Sequence, residues 1–307
     1  MTRPSVIAVT GPTAVGKSAV ADLIAEKLGV PVISADAMQV YRGMDIGTAK
    51  TPVSERRVPL LMVDIADPGE AYSAALYQSG ARAEIDRVLA RGRQAVLCGG
   101  TGLYLRAALD EMAFPAGEVS GARRGAYQEL ADELGAEGLH LELARRDPRS
   151  AAVIHPNNVR RVVRALEMLD EGVSYADQRA CFSAPRERYG HTDYALTMDR
   201  DELYRRIDAR VDAMIDRGLV DEVRALMDAG VGDALTSRQA IGYKEVIDYL
   251  VGRSSLADAV DLIKRRSRRY AKRQLSWCRR DPRMIWLDMD ELGVDGAAAR
   301  ILKEVAA

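Results

Sequence analysis

The sequence predicts an α/β fold in which a parallel sheet is flanked by helices, carries a P-loop and is interrupted by a helical insertion domain. Short apolar runs alternate with helical patterns along most of the chain, and such alternation argues for a parallel sheet covered by helices. Two of the apolar runs end in glycine-rich turns, whereas the middle of the chain shows helical patterns alone. A length of 307 residues is enough for about two structural units.

The first strand, loop and helix are predicted near the amino terminus. The run "SVIAVT" predicts a strand, and "SAVADLIAEKLG" predicts a helix that ends at Gly29. Between them, "GPTAVGKS" matches the complete phosphate-binding pattern G-x-x-x-x-G-K-[ST], in which the lysine neutralises phosphate oxygens and the final hydroxyl ligates Mg²⁺. The motif identifies a phosphate site without saying which phosphate is bound. The candidate ligands are Gly11, Pro12, Thr13, Ala14, Val15, Gly16, Lys17 and Ser18, and the last of these is the candidate metal ligand.

Later segments repeat the strand-and-turn design. "VPVISAD" predicts a strand with Asp36 at its carboxyl end, and "QAVLCGGTGLYLRAALD" predicts a strand, a glycine turn and a helix. Ligands of parallel sheets collect beyond the carboxyl ends of the strands, so we expect the P-loop, Asp36 and the turn at 99–102 to face one crevice. "YALTM" and "MIWLD" predict two further strands, separated by the strongly helical "DELYRRIDARVDAMIDRGLVDEVRALMDAG".

The middle of the chain is predicted to be a separate helical domain. We expect a P-loop core over 1–114 and 191–307, including basic helices near the carboxyl end, and an insertion over 115–190. The insertion carries the helical patterns "RRGAYQELADELG" and "NNVRRVVRALEML".

Charge is distributed unevenly along the chain. The net charge is −1, but residues 264–283 hold ten Lys or Arg and one Asp. This segment suggests an anionic partner, and a solvated helix is the alternative. The sequence shows no membrane-spanning run or signal peptide, no metal-ligating spacing of His, and three Cys far apart. We therefore expect a cytoplasmic monomer.

Seven strings carry a resemblance to a known family. The chain is similar, from residue 6 to about residue 280, to the tRNA dimethylallyltransferases, which prenylate the adenosine 3′ of certain anticodons. The strings follow one another in the family order: "GPTAVGKS", "ADAMQVYRGMDIGTAK", "GGTGLYL", "HPNNVRRVVRALE", "DELYRRIDARVDAMIDRGLVDEV", "RQAIGYKE" and "RRYAKRQLSW". The chain lacks the zinc-finger pattern of some eukaryotic relatives, which favours the bacterial type.

The resemblance implies an activity and roles for three residues. The family transfers a dimethylallyl group from dimethylallyl diphosphate to the exocyclic N6 amine of adenosine, so the P-loop would hold a departing diphosphate together with Mg²⁺. Asp36 would be the general base, Thr101 would hydrogen-bond at the target amine, and Arg210 would reach the diphosphate. Other roles stay open for these residues. Asp36 could cap the end of a strand or support Mg²⁺, and Thr101 could cap a helix. Arg206 could reach the diphosphate in place of Arg210.

Candidate tRNA contacts follow from the family motifs and from the basic residues. An anticodon-loop adenine must be flipped out to reach a deep crevice, and backbone contacts must offset the cost. In the basic segment we expect Arg265, Arg268, Arg269 and Lys272 to form a stripe along phosphates. The family usually has serine where this chain has Ala37, which weakens the match modestly. The other candidates are Asp36, Ala37, Met38, Gln39, Thr101, Arg123, Arg160, Arg161, Val162, Val163, Arg164, Gln239, Ala240, Ile241, Gly242, Tyr243 and Lys244.

Two other functions use the same loop. An adenylate isopentenyltransferase would prenylate free AMP, ADP or ATP, and a small-molecule kinase would transfer a phosphoryl group from ATP. The basic segment and the helical insertion favour tRNA, because a free nucleotide needs no extended basic surface. No convincing adenine-binding or lid signal supports a kinase.

Overall fold

The computed structural model describes residues 5–112, 114, 122–183, 186–230 and 240–306. The chain divides into two compact units. Unit 1 comprises Met1–Leu109 and Tyr189–Ala307, and unit 2 comprises Asp110–Arg188. That residues 115–190 act as a tRNA-contacting domain stays a prediction.

The described part of unit 1 contains a six-stranded sheet in which every neighbouring pair is parallel. Its strands are β1 Val6–Thr10, β2 Val32–Ser34, β3 Leu60–Leu61, β4 Ala95–Cys98, β5 His191–Thr197 and β6 Met284–Asp288. Across the sheet they follow the order β3-β2-β4-β1-β5-β6. The predicted parallel α/β fold is confirmed.

The helices fall into both units. Within the described residues they are α1 Lys17–Leu28, α2 Ala74–Leu89, α3 Gly102–Leu109, α4 Ala122–Arg146, α5 Pro148–Ala151, α6 Val159–Asp170, α7 Tyr175–Ser183, α8 Arg200–Asp216, α9 Leu219–Asp228, α10 Tyr243–Leu250, α11 Leu256–Cys278 and α12 Met289–Ala306. In unit 1, α1 packs on β1 and β4, α2 on β2 and β4, and α12 on β6. The long basic helix α11 packs against α3, α8 and α10.

Strand β1 lies inside the sheet between β4 and β5, which explains its composition. Every one of its residues is buried, as expected of a central strand in a parallel sheet whose faces carry helices. The carboxyl ends of β1, β2 and β4 lead directly into the P-loop, Asp36 and the glycine turn at 99–102. The fold therefore brings these three segments to one edge of the sheet.

Helix α2 and strand β3 are among the elements of unit 1 that were not predicted from the sequence, as are α10 and α12. Helix α2 buries Tyr77, Ala81, Ile85 and Val88, a helical spacing that was present in the sequence but not used. Strand β3 has only two residues and exists through its parallel pairing with β2, so no local pattern could identify it.

Unit 2 is helical in its described part and has a core of its own. Helix α6 contributes Val162, Val163, Ala165 and Leu166 to this core. Val162 and Val163 are almost fully buried, so their side chains pack inside unit 2. Their contact with tRNA stays a prediction, and the burial of both side chains argues against a side-chain contact.

Candidate functional site

The carboxyl edge of the sheet in unit 1 borders a cavity of about 340 Å³. Residues from the P-loop, from the turn after β2 and from the glycine turn line it together with apolar side chains of α8 and α11. The lining residues are Thr13, Asp36, Ala37, Met38, Gly47, Thr48, Thr101, Ile207, Arg210, Val211, Met214, Ala240, Ile241, Gly242, Tyr243, Ile263, Ser267, Tyr270 and Arg273. The structure thus places Asp36, Thr101 and Arg210, which the sequence motifs singled out, around one space.

The P-loop has the backbone conformation of an anion-binding nest. Gly11, Ala14 and Gly16 have positive φ angles of 141°, 66° and 105°. Gly11 also packs so closely on β5 that an added Cβ would lie 2.6 Å from the carbonyl oxygen of Leu196. Successive N–H groups in such a turn, followed by the amino terminus of α1, point toward a bound anion. The loop is therefore shaped for phosphate oxygens by its own glycines.

Lys17 lies at the base of the P-loop in a poorly solvated position. Its Nζ donates a hydrogen bond of 2.6 Å to the carbonyl oxygen of Pro12. The pKa of Lys17 is lowered to about 8, mainly by burial and to a smaller extent by the positive charge of Arg210, whereas Asp36 acts in the opposite direction. An anion bound in the loop would favour the charged lysine. Binding of phosphate would therefore increase the protonated fraction of Lys17.

Asp36 and Thr101 are joined through the backbone between β2 and the glycine turn. Asp36 Oδ1 accepts a hydrogen bond of 2.9 Å from the Met38 N–H, and Thr101 Oγ1 accepts one of 3.0 Å from the Ala37 N–H. The Thr101 N–H in turn donates to the Ala35 carbonyl oxygen at 3.1 Å. Ala37 meets Thr101 through its main chain, so this contact does not need the serine hydroxyl usual in the family.

Helix α8 presents two arginines, and the structure places them in different surroundings. Arg210 is partly buried and lines the cavity, and desolvation lowers the pKa of its guanidinium while Asp36 raises it. Arg206 is exposed, and its Nε donates to Glu202 at 2.7 Å on the surface of the helix. Of these two arginines, Arg210 alone lines this cavity.

Two residues of α11 that sequence reasoning did not assign hold the site together. The Gln274 Oε1 accepts a hydrogen bond of 2.8 Å from the Thr13 N–H, and its Nε2 donates to the Gly100 carbonyl oxygen at 3.0 Å. Burial raises the pKa of Tyr270 to about 12, an effect that hydrogen bonds with Thr101 and Gln274 partly oppose. Both residues lie in the string "RRYAKRQLSW", but their hydrogen-bond partners in the P-loop and the glycine turn lie more than 160 residues away in the chain. No local pattern could therefore indicate these contacts.

Glu222 of α9 organises another wall of the cavity. Its carboxylate accepts hydrogen bonds from the N–H groups of Asp45, Ile46 and Gly47 at 3.0, 2.7 and 3.2 Å. It also accepts a hydrogen bond of 2.6 Å from the Tyr243 hydroxyl. One carboxylate therefore links the loop at 45–47 to α9 and α10. No sequence pattern predicted this contact, because loop and helix are far apart in the chain.

The remaining tRNA candidates in unit 1 are distributed unevenly. Met38, Ala240, Ile241, Gly242 and Tyr243 line the cavity beside Asp36 and Thr101. Gln39 lines a different, small cavity, where it accepts from Ser34 Oγ at 3.1 Å and donates to the Thr48 carbonyl oxygen at 3.3 Å. Gln239 lies outside the described residues.

The candidates in unit 2 are mostly exposed arginines. Arg123, Arg160 and Arg161 are exposed. Arg164 is half-buried, and its Nη1 lies 3.4 Å from Glu167 Oε2. Part of the charge of Arg164 is therefore neutralised within the unit.

Metal and membrane features are limited in the described residues. They contain no group of three or more His, Cys, Asp or Glu side chains arranged to hold a metal ion. None of the helices in the described ranges is both long and apolar enough to span a bilayer. Ser18 is exposed at the P-loop, where its hydroxyl can join phosphate oxygens around a cation.

Comparison with known proteins gives consistent matches. A family model described as IPP transferase matches residues 39–281, and one described as Isopentenyl transferase matches residues 4–58. Over 302 residues the chain is 44% identical to the tRNA dimethylallyltransferase of Carboxydothermus hydrogenoformans, covering 97% of this chain and 96% of that relative.

Solved structures agree with the sequence matches. The full-length tRNA isopentenylpyrophosphate transferase of Bacillus halodurans has a TM-score of 0.70 at 40% identity, covering 99% of this chain and 97% of that chain. A eukaryotic dimethylallyltransferase acting on tRNA has a TM-score of 0.80 at 28% identity, covering 97% of this chain and 77% of that chain. The resemblance drawn from the seven strings is confirmed, and the chain belongs to the tRNA dimethylallyltransferase family.

Proposed function

We propose that the chain transfers the dimethylallyl group of dimethylallyl diphosphate to the N6 amine of the adenosine 3′ of the anticodon in tRNA, with release of diphosphate. The observation that carries this proposal is one cavity at which the carboxylate of Asp36, the hydroxyl of Thr101 and the partly buried guanidinium of Arg210 meet the P-loop. In this proposal the carboxylate accepts the proton and the P-loop holds the leaving diphosphate, and both border the same cavity. The names of the relatives support tRNA as the acceptor.

The leaving diphosphate would bind at the P-loop end of the cavity. Breaking the allylic C–O bond places negative charge on the diphosphate, and loop N–H groups, Lys17 and Arg210 are placed to stabilise it as it develops. A guanidinium fork suits diphosphate oxygens because it donates two parallel hydrogen bonds. The positive charge of Arg210 lowers the pKa of Lys17, so an anion bound between the two side chains would relieve that repulsion.

The acceptor adenine would bind at the Asp36 end of the cavity. The adenine amine is a weak nucleophile because its lone pair is delocalised into the ring, so its proton must leave as the new N–C bond forms. Asp36 accepts that proton in our proposal, and Thr101 orients the amine. On the α11 side, Tyr270 hydrogen-bonds with Thr101, and Gln274 holds the neighbouring Gly100 through its carbonyl oxygen.

Mg²⁺ fits the residues at the mouth of the P-loop. The ion prefers oxygen ligands and usually takes only one or two from the protein, with the rest from phosphate and water. The exposed hydroxyl of Ser18 supplies one such ligand beside the phosphate nest. When bound there, the ion would neutralise charge on the diphosphate.

tRNA would present its adenine to this cavity by base flipping. A stacked adenine cannot deliver its amine to a recessed carboxylate, and extrusion costs a few kcal/mol. Backbone contacts from Arg123, Arg160, Arg161 and Arg164 in unit 2 would offset part of that cost. Of these, Arg160 and Arg161 form no ion pair with another described residue, so their charge is available to RNA.

Incubation with labelled dimethylallyl diphosphate tests the proposal. Three parallel reactions contain tRNA, AMP or neither, and nuclease digests are searched for prenylated adenosine. We expect label in tRNA alone, at the position 3′ of the anticodon. Label in AMP with none in tRNA would instead establish an adenylate isopentenyltransferase.

A further inference from the structure

Helix α8 forms an apolar wall of the cavity that Asp36, Thr101 and Arg210 line, which we call the Asp36 cavity. The helix contributes Ile207, Val211 and Met214 to this wall, and all three side chains are buried. Their spacing places them on the same face of the helix as Arg210. The guanidinium proposed for the diphosphate therefore projects from an apolar surface.

Helix α11 extends the apolar wall. It packs against α8 and contributes Ile263, which is also buried, to the lining of the Asp36 cavity. Ser267 and Tyr270 follow along the same face of α11 at intervals of about one helical turn. Buried side chains in a packed interior yield little space to a larger ligand. This wall is therefore suited to limiting the size of what binds against it.

A different wall of the Asp36 cavity adjoins charged surface. Ala240 and Ile241 border both this cavity and a second one of about 370 Å³. The remaining residues that line the second cavity are Lys244, Glu245, Arg266, Arg269 and Arg273. Charged groups are a poor environment for a hydrocarbon chain. An apolar part of the donor would therefore lie against α8 and α11.

The position of Arg210 indicates where the chain of the donor begins. An allylic diphosphate joins a charged head to an apolar chain through one carbon, so a head held by Arg210 places the chain close to this residue. Val211 and Met214 lie within about one helical turn of Arg210 on α8. Side chains on a helix lean toward its amino terminus, so Met214 covers the turn that carries Arg210. Met214 is thus the large apolar side chain that a lengthening chain would meet.

We propose that Met214 limits the donor to one prenyl unit by occupying the space that a second unit would need. The proposal rests on the proposed function, since it takes an allylic diphosphate as the donor. The volume of the Asp36 cavity, about 340 Å³, is near the lower end of the roughly 300–1,000 Å³ found for small-molecule sites. Little room is therefore left once an adenine and one prenyl unit are bound.

The chemistry itself would not reject a longer donor. In either case the bond between C1 and N6 forms while the bond between C1 and the diphosphate oxygen breaks. The electron pair of the broken bond leaves with the diphosphate, and the N6 proton passes to Asp36. Discrimination between donors must then come from the walls of the cavity.

Competition between two donors tests the role of Met214. Equal concentrations of dimethylallyl diphosphate and geranyl diphosphate are supplied together with tRNA, and both prenylated adenosines are measured in nuclease digests by mass spectrometry. The product ratio equals the ratio of the two kcat/KM values, so it does not depend on the fraction of folded enzyme. The variants are Met214→Ala, the milder Met214→Val and the volume-conserving Met214→Leu. Leu203→Ala is the matched control, because Leu203 is buried in α8 but is not among the residues that line the Asp36 cavity.

We expect the wild type to prefer the dimethylallyl donor by more than about 100-fold, because a single surplus methylene in a closed apolar pocket already costs about 10- to 200-fold. Met214→Ala should reduce this preference at least about tenfold, and Met214→Val should shift it in the same direction. Met214→Leu should stay within about threefold of the wild type, since such swaps conserve volume. Leu203→Ala should leave the product ratio unchanged.

The same product ratio in Met214→Ala, Met214→Val and the wild type would overturn the proposal. A larger shift in Ile241→Ala than in Met214→Ala would also overturn it, because the chain would then lie at the wall beside the charged surface. Equilibrium binding of the unreactive dimethylallyl and geranyl thiolodiphosphates makes the same comparison without transfer. If the wild type transfers neither group but discriminates between these analogues through Met214, the proposed function is contradicted and the size limit is supported.

Discussion

The two carboxylate oxygens of Asp36 have different surroundings. A carboxylate at the end of a strand can cap a turn or accept a proton, and each oxygen of Asp36 suits one of these roles. Oδ1 accepts the Met38 N–H, whereas Oδ2 has no hydrogen-bond donor among the described residues. The two roles can therefore coexist in one side chain that lines the cavity.

Replacement of Asp36 with asparagine separates the two roles. The amide oxygen can still accept the Met38 N–H, but the side chain can no longer take the proton of the amine. We expect the single-turnover rate to fall by about 10² to 10⁴, with the tRNA dissociation constant changed by less than about threefold. Turnover of Asp36→Asn at the wild-type rate would exclude Asp36 as the base.

The pH dependence of donor binding reports on Lys17. Its lowered pKa of about 8 means that the free enzyme holds a charged lysine below this pH and loses the charge above it. Bound diphosphate favours the charged form, so kcat/KM for the donor should be highest below pH 8 and decline as the pH rises beyond it.

Lys17→Ala provides the control for this titration. The variant should bind the donor poorly and show no decline of kcat/KM above pH 8, because the titrating group is gone. An unchanged wild-type value well above pH 8, or the same decline in the variant, would contradict the role of Lys17.

At the scale of elements, helices α9 and α11 shape the cavity from segments distant in sequence. Gln274 of α11 ties Thr13 of the P-loop to Gly100, so that the diphosphate and acceptor ends share one support. Glu222 of α9 holds the loop at 45–47 against Tyr243. In our proposal both residues position others, and the chemistry is assigned to Asp36, Lys17 and Arg210.

Removal of the Glu222 carboxylate should loosen this wall. We expect Glu222→Ala to lower the free energy of unfolding by about 2 kcal/mol, since each hydrogen bond to a charged group contributes about 1.5–3 kcal/mol and the losses are not additive. Glu222→Gln should recover part of the loss. The measurement is urea-induced unfolding, together with kcat and KM for both substrates.

Glu202→Ala is the matched control for stability. Glu202 forms only surface ion pairs with Arg205 and Arg206, which contribute little in water. A loss of stability in Glu222→Ala no larger than in Glu202→Ala would show that the four hydrogen bonds do not hold the wall in place.

The elements predicted from sequence are those whose signal is local. The P-loop with β1 and α1 follows from an apolar run, two glycines and helical spacing within about 25 residues. The partners of Glu222 and Gln274 depend on tertiary contacts, so no pattern near either residue indicates them. The same holds for the basic segment, where carboxylates of α8 and α10 form ion pairs with Lys264, Arg266 and Arg268.

At the scale of the whole molecule, the P-loop serves prenyl transfer in our account. Its nest, Lys17 and Arg210 would stabilise the diphosphate of the donor, and Asp36 would face the acceptor across the same cavity. Unit 2 carries exposed arginines, and unit 1 carries the exposed cations Lys244, Arg269 and Arg273, all of which suit a polyanionic acceptor. A nucleoside triphosphate has no part in this division of roles.

The stoichiometry of one reaction tests this account most directly. Wild-type protein is supplied with dimethylallyl diphosphate, tRNA and ATP together, and released diphosphate, prenylated adenosine and remaining ATP are measured in the same samples. The account predicts one diphosphate per prenylated adenosine and an unchanged amount of ATP. Cleavage of one ATP for each product formed would contradict it, because the P-loop would then be serving a nucleotide.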